Sequence, residues 1–180
     1  MTIYIAILRG INVGGKRMIK MDDLKRLLAT LDLQNPLTYI QSGNVVFQSN
    51  ATADQLQKNI AIAIETTYGF EVPVLVFAID ELKKIIANNP LAKEKDKAEE
   101  YWHVTFLAEK PTLENWQKIN PAAYLPDAVA IKDRAVYLHC PNGYSNSKLT
   151  NSFLEKQLKT TATTRNWKTT LALLDLAAKL

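Results

Sequence analysis

Thr38-Tyr39-Ile40-Gln41-Ser42-Gly43-Asn44-Val45-Val46-Phe47-Gln48 is the stretch that decides the fold. Thr38 to Gln41 and Asn44 to Gln48 are two short β-rich runs, and Ser42-Gly43 between them has the chemistry of a tight turn. Strands joined so closely run antiparallel, because a parallel pair needs a crossover of roughly a dozen residues. The hairpin therefore disagrees with any fold built on an all-parallel sheet.

Upstream of the hairpin, Met21 to Leu33 carries Met21, Leu24, Leu27, Leu28 and Leu31 at helical spacing, with Asp22 and Asp23 favouring its N-terminus. Before that, Ile3-Tyr4-Ile5-Ala6-Ile7-Leu8 is apolar on both alternating faces, which predicts a central strand covered on both sides. Downstream, Leu56, Ile60, Ile64 and Tyr68 form one helical stripe over Ala53 to Tyr68, and Gly69 stops it. Val72 to Ile79 is a further strand pattern, and Pro73 near its start places it at a sheet edge. The predicted order is β-α-β-β-α-β, the ferredoxin-like arrangement.

Asp80 opens a short helical pattern with Leu82, Ile85 and Ile86, and Lys93 to Glu100 is a charged connector. The pattern then starts again. Tyr101 to Leu107 predicts a strand, Thr112 to Ile119 a short helix, and Ala128 to Lys132 with Ala135 to Cys140 a second hairpin across Asp133-Arg134. A helix from Lys148 to Leu158 with Ser147 as its N-cap follows. Thr160 to Thr164 is short and ambiguous where a closing strand should stand, and Thr163 to Trp167 opens a last helix. The expectation is an α+β chain of duplicated ferredoxin-like halves, residues 1–90 and 91–180 with a C-terminal helix, whose antiparallel sheets pack into one compact body.

Hydrophobic residues at 47% and charged residues at 22% are ordinary for a soluble globular protein. Cys140 is the only cysteine, which excludes an internal disulfide and a cysteine-based zinc site. No apolar run approaches a membrane span, and no basic stretch leads an apolar leader. The expectation is a cytoplasmic protein with no membrane partner, no metal and no cofactor. Self-association stays open. The net charge of +4 permits a nucleotide or nucleic-acid partner without requiring one.

The chemistry concentrates in Leu8-Arg9-Gly10-Ile11-Asn12-Val13-Gly14-Gly15-Lys16-Arg17, where half of the chain's 6 glycines sit beside basic side chains. A loop rich in free backbone N–H groups and cations is where an anionic ligand is expected. Gly10 to Lys16 satisfies G-x-x-x-x-G-K, the phosphate-loop pattern. Two features argue against a nucleotide hydrolase: Arg17 stands where a magnesium-binding Ser or Thr belongs, and the helical pattern starts near Met21 rather than at Lys16. Tyr4 in the first strand is only a weak match to an aromatic RNA-binding strand, and Tyr4 reads better as core.

Gln41-Ser42-Gly43-Asn44 is explained by a turn alone, and Asn142 to Lys148 is a second polar loop. His103 and His139 fall on the polar phase of their strands and read as satisfied structural histidines, with no nucleophile motif beside either. The carboxylates show no pairing for acid–base chemistry.

Arg9-Gly10-Ile11-Asn12-Val13-Gly14-Gly15-Lys16, then Tyr39 to Phe47, then Asn142-Gly143-Tyr144 with Ser147-Lys148-Leu149, and finally Thr164-Arg165-Asn166-Trp167 together resemble one bacterial family, domain of unknown function 1697. The resemblance implies the duplicated α+β fold and no established activity. The positions it singles out are Arg9, Gly10, Asn12, Gly14, Gly15, Lys16, Gln41, Ser42, Gly43, Asn44, Lys148, Arg165, Asn166 and Trp167. The first functional expectation is a binding protein for a phosphate-bearing ligand, a nucleotide or single-stranded nucleic acid. Arg9, Lys16 and Arg165 would supply charge, and Gly10, Gly14 and Gly15 close backbone approach. Asn12, Gln41, Ser42 and Asn44 would supply hydrogen bonds, with Lys148 and Asn166 from the later motifs. The alternatives are an enzyme of unassigned reaction on the same surface, or an interaction module whose glycine loop is only a turn.

Overall fold

The apolar opening run forms β1 (Thr2–Leu8), followed by α1 (Met21–Ala29), β2 (Gln34–Tyr39), β3 (Asn44–Ser49), α2 (Ala53–Tyr68), β4 (Val74–Ala78) and α3 (Ile79–Ala87). The structure is a computed structural model that describes residues 1–180. The first four strands make one antiparallel sheet in the order β2-β3-β1-β4, with Ile5 facing Val46 on one side and Phe77 on the other. As its alternation predicts, β1 is central and buried on both faces. Tyr4, Ala6 and Leu8 join Leu24 and Leu28 of α1 and Leu56, Ile60 and Ile64 of α2 in one core. Ile5, Ile7, Val46, Leu75 and Phe77, on the other phase, are buried as well. Each such side chain contributes about 1.5–3 kcal/mol on leaving water, so truncating Ile60 to Ala would cost about 2–5 kcal/mol.

Local chemistry fixes the element ends. Thr52 and Gln55 form a reciprocal capping box at the start of α2, and Gly69 ends it in the left-handed region at φ 75°. β4 lies at the sheet edge, as Pro73 required. Two boundaries differ from the sequence reading. α1 stops at Ala29 rather than Leu33, because the chain reverses through Asp32 at φ 55° and Leu33 enters the core on its way into β2. β2 starts earlier than expected, at Gln34, and holds Pro36. It can do so because β2 is an edge strand whose register shifts between Gln34 and Leu37. The hairpin connection is consequently Ile40 to Gly43, so Gln41 belongs to the turn and not to a strand.

The second sheet repeats the order. β5 (Trp102–Leu107), α4 (Leu113–Gln117), β6 (Ala128–Lys132), β7 (Ala135–His139), α5 (Asn151–Leu158) and β8 (Ala162–Asn166) precede α6 (Trp167–Ala177). The sheet runs β6-β7-β5-β8, all antiparallel. Leu107, Val136, Leu138, Cys140 and Ala162 pack with Ile119 and with Leu154 and Leu158 of α5. The ambiguous Thr-rich segment is a true strand, β8, with Arg165 opposite Val104 of β5. α5 begins at Asn151 with Thr150 as its cap, not at Lys148 with Ser147. The reason is Leu149, which is fully buried. Ser147 Oγ instead accepts a hydrogen bond from Leu149 N in an extended approach.

The chain divides into two compact units, Met1–Lys83 with Ala172–Leu180, and Lys84–Leu171. Within the first, Gln48 Nε2 donates to the Leu180 carbonyl at 3.1 Å. No helix is long and apolar enough to cross a membrane.

Candidate anion-binding site at the glycine hairpin

Residues 12–17 form a miniature β-hairpin rather than a phosphate cradle. Val13 pairs with Lys16, whose N–H donates to the Val13 carbonyl at 3.0 Å, and Asn12 N donates to the Arg17 carbonyl at 3.2 Å. Gly14 and Gly15 sit at φ 58° and 72°, the two left-handed positions that a two-residue turn matched to strand twist requires. A Cβ on either glycine would meet nothing within 4 Å, so these glycines serve the turn and leave its tip open. The Lys16 N–H is closed into the turn, and α1 does not begin until Met21, so no helix N-terminus follows the lysine.

The base of this hairpin is tied to the Ile40–Gly43 turn by one side chain. Asn12 Nδ2 donates to the carbonyls of Ile19 at 2.9 Å and Gln41 at 2.8 Å, while Asn12 Oδ1 accepts from Ile19 N at 2.8 Å. Beneath the clamp, Leu8 N donates to the Gly43 carbonyl at 2.8 Å. Gly43 is needed for space as well as for its φ of 85°: a Cβ there would stand 2.7 Å from Leu8 Cβ and 2.8 Å from Ile11 Cδ1. Asn44 is fully buried, its Nδ2 donating to the Tyr39 carbonyl at 3.0 Å and to Ser42 Oγ at 2.9 Å. Asn12 and Asn44 thus direct their amides to the protein itself. Gln41 differs, with an exposed side chain that enters no hydrogen bond.

Charge distinguishes the hairpin from its surroundings. On α1, Lys25 pairs with Asp22 and Arg26 with Asp23. Lys16, Arg17 and Lys20 are exposed and enter no ion pair. Arg17 Nη1 lies 3.3 Å from where a Gly10 Cβ would be, and Arg9 is half-buried with its N–H on the Pro73 carbonyl. Arg17 also lines a cavity of about 340 Å³, but Glu65 and Glu71 share that wall, so the cavity itself suits no anion. No group of three or more His, Cys, Asp or Glu side chains is placed to hold a metal ion.

The remaining expected residues belong to the unit of Lys84–Leu171. Lys148 lines a cleft of about 170 Å³ with Asp127, Asn142 and Asn146. Arg165 is half-buried on β8 and donates to the Thr164 carbonyl at 3.0 Å. Desolvation lowers its guanidinium to about 10. Asn166 Oδ1 accepts from Thr169 N at 2.8 Å and so caps α6, while the Trp167 ring meets Trp102 edge-on at 5.4 Å.

The sequence reading missed a polar chain in the same unit. The His103 ring stacks on Tyr144 at 4.9 Å, Tyr144 Oη donates to Thr164 Oγ1 at 3.1 Å, and Thr164 Oγ1 donates to Asn151 Oδ1 at 2.7 Å. Thr105 Oγ1 shares the cluster, 2.7 Å from Thr164 Oγ1. The register of β5 with β8 sets Thr105 against Thr164, and no local spacing announces it. His139 also differs from expectation. It is buried opposite Trp102 rather than on a polar face, and its Nδ1 has no hydrogen-bond partner. Burial, with Lys97 adding to it, holds the imidazole below its ordinary pKa.

Among curated proteins, none matches the sequence. Among solved structures, the conserved bacterial protein SP0830 from Streptococcus pneumoniae is similar at a TM-score of 0.74 and 23% identity, over 99% of this chain and 99% of that one. That likeness is one of fold. The family model of DUF1697 matches residues 1–137, which take in the glycine hairpin and the Ile40–Gly43 turn but stop before the Asn142–Leu149 and Thr164–Trp167 motifs. The chain therefore belongs to the family described as protein of unknown function, DUF1697.

Proposed function

We propose that this protein binds a phosphate-bearing ligand, a nucleotide or single-stranded nucleic acid, at the glycine hairpin, and that it does so in the cytoplasm. The observation that carries the reading is the surplus of exposed cations. Lys16, Arg17 and Lys20 lack carboxylate partners, while the neighbouring basic residues of α1 have them. They follow in the chain an open two-glycine tip whose base is already fixed by Asn12, so little ordering entropy is lost when an anion arrives. Arg9 adds charge just after β1, Gln41 and Ser42 supply polar groups from the turn that Asn12 ties to the hairpin base, and Asn44 braces that turn from within. Lys148 and Arg165 stand in the other unit, Lys148 at the cleft with Asp127 and Arg165 on β8. We also read each sheet as a ferredoxin-like half, residues 1–90 and 91–180. The strand orders β2-β3-β1-β4 and β6-β7-β5-β8, each reached by β-α-β-β-α-β, support this.

A thermal-shift panel tests the site. Inorganic phosphate, nucleotides with and without Mg²⁺, and short RNA and DNA are applied to the wild type and to Lys16→Ala. A ligand at about a hundred times its Kd stabilises by about 2.7 kcal/mol. For a chain of this size that is a rise in Tm of roughly 5–10 °C. The rise is expected to be reduced or lost in Lys16→Ala. Absence of any shift with every phosphate compound refutes the anion site and leaves an interaction module as the better account.

A further inference from the structure

We infer that the ligand of the glycine hairpin is a single strand of several nucleotides rather than a mononucleotide, its phosphates on Lys16, Arg17 and Lys20 and its bases on the exposed side chains of Val13, Met18 and Ile40. The inference rests on the phosphate-site reading above and names its ligand. Three aliphatic side chains are left in water here: Val13 is 63% exposed, Met18 59% and Ile40 51%. Their backbones are drawn close to one another, because each is the chain neighbour of a residue that the Asn12 amide ties together, namely Asn12 itself, Ile19 and Gln41. Ile40 is held at φ 49°, a region that a β-branched residue rarely occupies. The fold thus keeps an apolar side chain in solvent on a strained backbone, and a binding role explains both features.

Along the chain, apolar and basic side chains alternate in blocks as Val13, Lys16, Arg17, Met18 and Lys20. A mononucleotide needs a concave pocket. A Cβ at either tip glycine would meet nothing within 4 Å, and the cavity at Arg17 is walled by Glu65 and Glu71. An extended strand needs no pocket. It offers a series of phosphates to the cations and a series of flat, apolar base faces to the aliphatic tips, with Gln41 free to bond a base edge. A flat anionic bilayer would satisfy the cations too, but it would also press on Asp22 and Asp23, which follow the patch directly at the start of α1. A narrow strand can pass along one side of them.

The test uses the full chain and fluorescence anisotropy with a labelled oligothymidylate of about a dozen nucleotides, within the range that single-strand grooves accommodate. Thymidine monophosphate serves as competitor, and vesicles rich in phosphatidylglycerol are assayed by sedimentation. With three phosphates neutralised, log Kobs should fall against log salt with a slope near −2, and Lys16→Ala with Lys20→Ala should flatten it. Val13→Ser with Met18→Ser should weaken binding about tenfold at an unchanged slope, since apolar area buried against the base faces is lost while the phosphate contacts stay. Ile40→Gly should weaken binding while melting no lower than the wild type, because glycine relieves the left-handed strain. That pair of results separates a binding role from a structural one. If thymidine monophosphate competes as well as the oligonucleotide, or if the three apolar substitutions leave affinity unchanged, the strand is overturned and the phosphate site stands. If neither oligonucleotide nor mononucleotide binds, both readings fall, and sedimentation with vesicles alone would assign the patch to a bilayer instead.

Discussion

Gly43→Ala is the substitution that tests how the two loops of the site are joined. Two costs arise at this position. The backbone sits at φ 85°, where an L-residue is disfavoured by about 1–2 kcal/mol. The added methyl would also stand 2.7 Å from Leu8 Cβ and 2.8 Å from Ile11 Cδ1. Leu8 Cβ is fixed to its backbone, and Ile11 is 1% exposed, so neither can swing aside. Overpacking of that kind costs about 1–3 kcal/mol. The sum is about 2–5 kcal/mol, a fall in Tm of roughly 4–20 °C for a chain of this length. Gly14→Ala is the control, since its φ of 58° carries the conformational cost alone with nothing within 4 Å. Thermal denaturation followed by circular dichroism should show Gly43→Ala less stable than Gly14→Ala by at least about 1 kcal/mol. Equal melting of the two variants would refute the close approach of the turn to β1.

Two further outcomes follow from buried titratable groups. Burial, with Asp127 contributing, pushes the Cys140 thiol up to about 11, so thiol reagents should label the native protein slowly and the urea-unfolded protein at once. Native labelling as fast as that of a free thiol would contradict its placement. His103 and His139 are both held below the ordinary imidazole range, chiefly by desolvation. The unfolded chain then takes up protons near its ordinary pKa of about 6.5 that the native protein refuses, so stability is full above that pH and is lost as pH falls through it. The urea midpoint should drop between about pH 7.5 and pH 5.5, less steeply in His139→Gln, and a flat profile would overturn the assignment.

Elements with a strong local signature were legible from sequence. The double-faced apolar run of β1, the stripe and terminal glycine of α2 and the two hairpins all follow from periodicity and turn chemistry. β8 was not, because Ala-Thr-Thr-Arg-Asn has no apolar alternation and becomes a strand only through its pairing with β5. The start of α5 was misplaced for a similar reason: a serine that caps well locally yielded to the burial of Leu149. At the candidate site the glycines and cations could be located from spacing. What Asn12 does could not, since one of its partners lies 29 residues away. His139 was assigned to the wrong face because β7 is buried along its whole length, which leaves no polar phase to read.

The Asn12 amide also determines what can be changed without disturbing the core. Because the hairpin is secured at its base, the Val13–Lys16 tip is mechanically separate from the sheet below it. Substitutions between Val13 and Lys16 should therefore change binding at the tip while the core of β1, β3 and β4 keeps its register.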